Sequence, residues 1–220
     1  MRIIVVGGGK AGSFLLGALS QGHEVVLLEK DPARVELLRE RFPGAHVRHG
    51  DGCEPTALEQ AGIAHCDLVG AVTGDDEDNL VISYLSKFEF RVPLVFAKVN
   101  NPRNEWLFNP SWGVDVAVDP AGILASLVEE EVGLEELVTL LKLQRGNVAV
   151  EEVLLRGDSP LVGKSLQELA LPPQFMVASV LREGDILVPR GDLVLRAGDK
   201  VLFFSEADRV EELRRLLGMD

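Results

Sequence analysis

The stretch "RIIVVGGGKAGSFLLGAL" at residues 2–19 narrows the folding options more than any other part of the chain. Ile3–Val6 are all β-branched and apolar, the habit of a short parallel strand buried on both faces. Gly7, Gly9 and Gly12 then form G-x-G-x-x-G, with Gly8 a small residue in a variable position, and a helix-like run follows. That spacing asks for a tight turn, close backbone approach to a diphosphate, and close packing of the helix on the sheet. Amides at the start of the helix, around Lys10 and Ala11, would face the phosphates. Lys10 points either toward them or into solvent.

The glycine motif alone is weak; its context strengthens it. An acid, Glu29, closes the second strand "HEVVLLE", 22 residues beyond Gly7. A carboxylate there accepts hydrogen bonds from the ribose diol of an adenosine and disfavours a 2′-phosphate. Lys30 and Arg34 beside it soften that exclusion. NAD(H), ATP and ADP offer the same adenosine half, so Glu29 does not separate them.

Strand and helix patterns alternate six times over about 118 residues, which gives the fold class: α/β, a Rossmann-like doubly wound parallel sheet. Asp31 and Pro32 mark one helix start, and Asp119 and Pro120 another. "DDEDNLVISYLSKFEF" opens with acids suited to a helix N-terminus, with Leu80, Tyr84, Leu85 and Phe88 expected as its apolar face. The helix from Pro120 carries Ile123, Leu124, Leu127 and Val128 on one side, a face to bury beyond the sheet. After Gly133 the pattern changes. Residues 137–157 read as two β segments around Arg145-Gly146, with a helix over 134–143 as the competitor. Residues 151–220 read as a second, smaller α+β unit with turns at Glu183-Gly184-Asp185 and Ala197-Gly198-Asp199. The expected division is therefore 1–133, 134–150 and 151–220.

Further candidate contacts lie at strand ends on the ligand side of the sheet. Asp51 in "HGDG" either faces the adenine end or caps the next helix. Thr73 and Asp75 either meet a pyrophosphate or ribose, or cap the following helix. Lys98 either reaches a phosphate or faces solvent. None of His23, His46, His49 and His65 stands where an acid or base would serve a nicotinamide. Cys53 and Cys66 have neither metal spacing nor a disulfide framework. A formal net charge of −13 argues against a nucleic-acid partner. No apolar run reaches the roughly 18–20 residues of a membrane span. Sensing a ligand fits this set better than turnover.

Beyond these motifs, residues 1–120 resemble the nucleotide-binding RCK (KTN) domain of Trk/Ktr-type potassium-uptake regulatory subunits. The resemblance rests on "GGGKAG", Glu29, "GDG" at 50–52, "AGIAHCDLVGAVTGDDEDNL" at 61–80, "AKVNNP" at 97–102 and "GVDVAVDPAGIL" at 113–124. Residues 151–217 look like that family's C-terminal ligand-binding domain, notably "SPLVGKSLQELAL" and "ILVPRGDLVLRAGDKVLFF". The resemblance implies a cytoplasmic, non-enzymatic subunit that binds NAD(H) or ATP/ADP in its first domain. It implies a homodimer or homo-octameric ring at the inner face of the membrane, gating a potassium-translocating subunit. The helix from Pro120 would be the element that crosses between subunits, and cyclic di-AMP would bind the C-terminal domain in some relatives. Many relatives carry Arg where this chain has Lys98, and a small alanine is common at Cys53. The rival readings are a sensor serving another cation transporter and a small NAD-dependent oxidoreductase.

Overall fold

In the computed structural model, the chain is described over residues 1–132, 137–143, 148–206 and 209–218, apart from side chains at 126, 129–132, 138 and 141–143. It divides into two compact units, Met1–Ala121 and Gly122–Asp220.

The first unit is the expected doubly wound sheet. Its strands are β1 (Arg2–Val6), β2 (Glu24–Glu29), β3 (His46–His49), β4 (Leu68–Ala71), β5 (Leu94–Lys98) and β6 (Val116–Val118). They run parallel in the order β3-β2-β1-β4-β5-β6. Chain order reverses beside β1, leaving a crevice between the C-terminal ends of β1 and β4. The helices are α1 (Lys10–Leu19), α2 (Pro32–Arg41), α3 (Pro55–Ala61) and α4 (Asp76–Tyr84). Ile4, Val6, Val26, Leu28, Val69, Ala71 and Val95 fill one face of the sheet, and Ile3, Val5, Leu16, Val25 and Leu27 fill the other. Alternation of side chains along each strand explains the division.

Two local expectations change. The helix expected through Phe90 leaves α geometry at Leu85 and continues as a π-helical turn, Leu85–Glu89. Its buried face is Asp76, Asn79, Leu80, Ile82, Ser83 and Ser86, whereas Tyr84 and Phe88 are each 49% exposed. Tyr84 stacks against Phe88 and Trp112 on the surface instead. The reason is close packing: a Cβ on Gly113 would lie 2.7 Å from Ser83 O, so small side chains line the inner face. The short helix expected over 102–112 is two 3₁₀ segments, Pro102–Leu107 and Pro110–Trp112, each opened by an asparagine side chain that accepts a backbone N–H.

The helix α5 (Pro120–Val132) begins as expected, with Asp119 accepting from Ala121 N, and Ile123, Leu124, Leu127 and Val128 are exposed. The second unit holds β7 (Leu137–Leu143), β8 (Val148–Leu154), β9 (Phe175–Arg182), β10 (Asp185–Leu187), β11 (Lys200–Glu206) and α6 (Val210–Leu216). Its sheet is antiparallel, in the order β10-β9-β11-β8-β7. The β reading of 137–143 therefore holds over the helical one; pairing with β8 outweighs the helix propensity of its leucines. The turn at Arg145-Gly146 lies outside the described residues. Glu183 and Gly184 both adopt positive φ, which matches a two-residue hairpin to the twist of β9 and β10.

One ion pair anchors this unit. Asp199, 0% exposed, accepts from Arg182 Nε (2.7 Å) and Arg182 Nη2 (2.8 Å), and from Arg196 N (2.8 Å). Burial pushes the Asp199 carboxyl up, but these donors and the guanidinium charge hold it below its ordinary 3.8. A depressed native pKa contributes stability above the unfolded value, and that contribution is lost as pH falls toward the native one. Asp199→Asn is expected to cost about 3 kcal/mol at neutral pH, read from denaturant-dependent amide exchange on β9 and β11. The gap to wild type should close as pH drops below 3.8. A gap independent of pH would contradict the assignment.

Candidate nucleotide site

A cleft of about 280 Å³ opens at the C-terminal ends of β1, β2, β4 and β5. Of the residues singled out in the sequence, Gly7, Gly9, Lys10, Ala11, Glu29, Lys30, Asp51, Thr73 and Lys98 line it together, and Arg34 joins them. Gly12 and Asp75 are not on its wall.

Each glycine of the motif has a separate physical reason. Gly7 turns the chain at φ +104°, and a Cβ there would stand 2.9 Å from Thr73 backbone. A Cβ on Gly12 would lie 1.8 Å from Gly7 O, so this position sets how closely α1 approaches the turn. Gly9 differs from both: nothing stands within 4 Å of its Cβ position, which is open space at the cleft. Gly9 is also the N-cap of α1 and makes no side-chain cap bond, leaving the first-turn amides for an outside acceptor. Gly8 belongs with them, although its motif position is variable. A Cβ at Gly8 would meet Leu38 Cδ1 at 2.6 Å and Glu29 Oε2 at 2.8 Å.

Glu29 is 5% exposed and doubly held. Its Oε2 accepts from Gly8 N (2.5 Å) and its Oε1 from Asp31 N (2.8 Å), with Arg34 Nη1 3.8 Å away. A carboxylate has about four acceptor sites, so these two bonds aim the group and leave capacity for two hydroxyls. Asp31 in turn caps α2 by accepting from Ala33 N.

Lys30 reaches across the cleft to Asp78 at 2.8 Å. That hydrogen bond and the Asp78 charge raise the Lys30 pKa. Asp78 was not legible as a cleft residue, since its place in an acidic first turn already accounted for it. Asp51 Oδ1 accepts from Cys53 N, a local turn ahead of α3. Burial first, then the charges of Asp78 and Asp51, push the Cys53 thiol up to about 12, so it stays protonated near neutrality. Thr73 N and Oγ1 both donate to Asn79 Oδ1, and Asp75 N donates to Thr73 Oγ1. His49 Nε2 lies 3.1 Å from Lys30 O. Among the described residues, no histidine lines the cleft and no group of three metal-binding side chains occurs.

The residues present fit a nucleotide on structural grounds: an open position at Gly9, free first-turn amides, lysines, and an aimed carboxylate beside the glycine turn. Residues 3–120 match the TrkA-N domain and residues 150–218 match the TrkA-C domain. The chain belongs to the TrkA family. A Mycobacterium tuberculosis relative, the Trk system potassium uptake protein TrkA, is 42% identical over 218 residues, 99% of this chain and 98% of its own. Among solved structures, a GsuK channel bound to NAD superposes with a TM-score of 0.58 at 19% identity, over 99% of this chain and 39% of that one. The Shewanella denitrificans Kef CTD in AMP bound form gives 0.50 at 19% identity, over 61% of this chain and 81% of that one. At these identities the likeness is one of fold.

The two glycines separate fold from binding. Gly12→Ala should destabilise the first unit by more than about 3 kcal/mol, the upper end of overpacking costs. Gly9→Ala should leave the melting temperature unchanged while weakening adenine-nucleotide binding about tenfold, a loss of roughly one charge-assisted hydrogen bond. Thermal unfolding and calorimetric titration check both. A Gly9→Ala protein that binds like wild type would remove the diphosphate from this turn.

Proposed function

We propose that this chain is a nucleotide-sensing regulatory subunit of a Trk-type potassium-uptake system. The observation that carries the reading is the junction of β1 and α1, where uncapped amides and open space at Gly9 share one cleft with Glu29, itself held by the neighbouring Gly8 N. In this reading Glu29 accepts from the ribose diol of an adenosine, and Asp51 faces the adenine end between Val6, Leu28 and Ile82. The amides of Lys10 and Ala11, with the Lys10 and Lys98 side chains, take the phosphates. Lys98 supplies a point charge where an arginine would supply a bidentate fork. The ligand class is NAD(H) or ATP/ADP. Fold neighbours bound to NAD and to AMP, which share an adenosine monophosphate half, support it.

The polar groups of the cleft wall are mainly backbone amides, carboxylates and cationic side chains, groups that grip and orient, which supports a sensor over an oxidoreductase. No helix of the described residues is long and apolar enough to cross a membrane. As a Trk-type regulatory subunit, the chain in this reading is cytoplasmic, held at the inner face of the membrane by a potassium-translocating subunit. The exposed face of α5 supports assembly as a homodimer or homo-octameric ring. We assign 1–133 to nucleotide binding, 134–150 to connection, and 151–220 to a second ligand, with cyclic di-AMP as the compound to titrate. Regulation requires a nucleotide to bind two ring shapes with different affinity.

Glu29→Ala should weaken ADP, ATP and NADH binding by about tenfold or more, measured by calorimetry; unchanged affinities would sink the assignment. Mass spectrometry of the ligand retained on purification then separates NAD(H) from ATP/ADP. Solution scattering of the apo, ADP, ATP and NADH states should give distinct envelopes, whereas identical ones would leave the nucleotide a structural cofactor.

A further inference from the structure

The ladder between β4 and β5 ends at the pair Ala71 and Ala97. Beyond it, each strand stays bonded to its other neighbour: Val72 N donates to Val6 O at 2.9 Å, and Val99 N donates to Val118 O at 2.8 Å. The two chain segments that leave these strands, at Thr73-Gly74 and at Lys98, form one wall of the cleft. A buried side chain on α4 bonds both of them. Asn79, 0% exposed, accepts from Thr73 N (2.9 Å) and Thr73 Oγ1 (2.8 Å) at Oδ1, and its Nδ2 donates to Lys98 O at 2.8 Å.

The partners force the orientation of that amide. Thr73 N has only a proton to give, and Lys98 O has only lone pairs, so the group between them must accept on one side and donate on the other. Asparagine does both in the space of one planar group. Its own helix position is fixed as well, with Ser83 Oγ donating to Asn79 O. Next to it, Asp76 accepts from Asn100 N (2.6 Å), Asn101 N (3.0 Å) and Asn104 Nδ2 (2.9 Å), and Asn100 Nδ2 donates to Thr73 O at 3.3 Å. Asp76 and Asn79 of α4 thus stitch both exits of the sheet, and neither of the two lines the cleft.

We propose that Asn79 is the positioning residue that sets the phosphate-side wall, fixing the separation of Thr73 and Lys98 to which a bound nucleotide is fitted. The proposal deepens the nucleotide reading and rests on it. Asn79 touches no ligand in this scheme; it acts through the backbone of Thr73 and Lys98.

The variant that tests this is Asn79→Asp. It has the same shape, but a carboxylate turns an acceptor toward Lys98 O and breaks the stitch. A protonated carboxyl restores a donor there. Burial and the neighbouring carboxylates of Asp75, Asp76 and Asp78 all favour the protonated form, and the Lys98 ammonium opposes it. Affinities for NAD and ADP are measured by calorimetry from about pH 8.5 to about pH 5.5. The variant-to-wild-type ratio at each pH cancels the protonation of the ligand. We expect the variant to bind about tenfold more weakly at the alkaline end and to approach wild type at the acid end. A ratio of one throughout overturns the positioning role, as does a loss that ignores pH. Failure of the wild-type chain to bind either compound overturns the nucleotide reading itself, and this proposal with it. If Asn79→Asp does not fold, Asn79→Ser decides, since its short hydroxyl cannot bond Thr73 N and Lys98 O together. It should weaken binding about tenfold, and unchanged affinity overturns the proposal.

Discussion

Everything the cleft does depends on one buried carboxylate. Glu29 sits at the end of a central strand, out of water, where an unsatisfied carboxylate is costly. The amides of Gly8 and Asp31 satisfy it, and in doing so they tie the glycine turn after β1 to the exit of β2. The residue proposed to read a ribose is therefore also the clamp between the two loops that frame it. On that proposal binding and architecture are coupled here, because the same oxygens would serve both.

Buried acids serve the same purpose elsewhere. Asp76 gathers the amides of Asn100 and Asn101 at the edge of the first sheet, and Asp199 gathers Arg196 N with the Arg182 guanidinium in the second unit. For Asp76, burial pushes the carboxyl up, yet its N–H donors hold it below the usual carboxylate range. Each is a short acid placed where several donors converge, a geometry that outweighs desolvation. Part of the acidic excess of the chain is thus internal scaffolding.

The parts legible in the sequence are those written in period and spacing. Six alternations of strand and helix, the G-x-G-x-x-G turn and the acid closing β2 each follow from local pattern, and the fold arranges them as that pattern demands. What escaped notice depends on contacts between distant residues. Gly8 looks free because its motif position is variable, but its constraint comes from Glu29 and Leu38, which no local rule reports. Asn79 looks like one more polar residue in an acidic helix start, and its role appears only once β4 and β5 lie side by side. Tyr84 and Phe88 mislead for the opposite reason. Their spacing suggests a core face, yet Gly113 packs closely against Ser83 and both rings lie at the surface. Over 137–143 the leucines suit either a helix or a strand, and only the partner strand decides.

Both tryptophans of the chain, Trp106 and Trp112, and its one tyrosine, Tyr84, fall in the first unit. Trp106 is 74% exposed, and both tryptophans ride on the 3₁₀ segments that follow β5. The molecule is therefore optically one-sided. Indole emission reports the first unit alone, while the second unit, whose aromatic residues are phenylalanines, is dark. An unfolding curve followed by tryptophan emission describes half of this protein, and a second method is needed before any single midpoint is assigned to the whole chain.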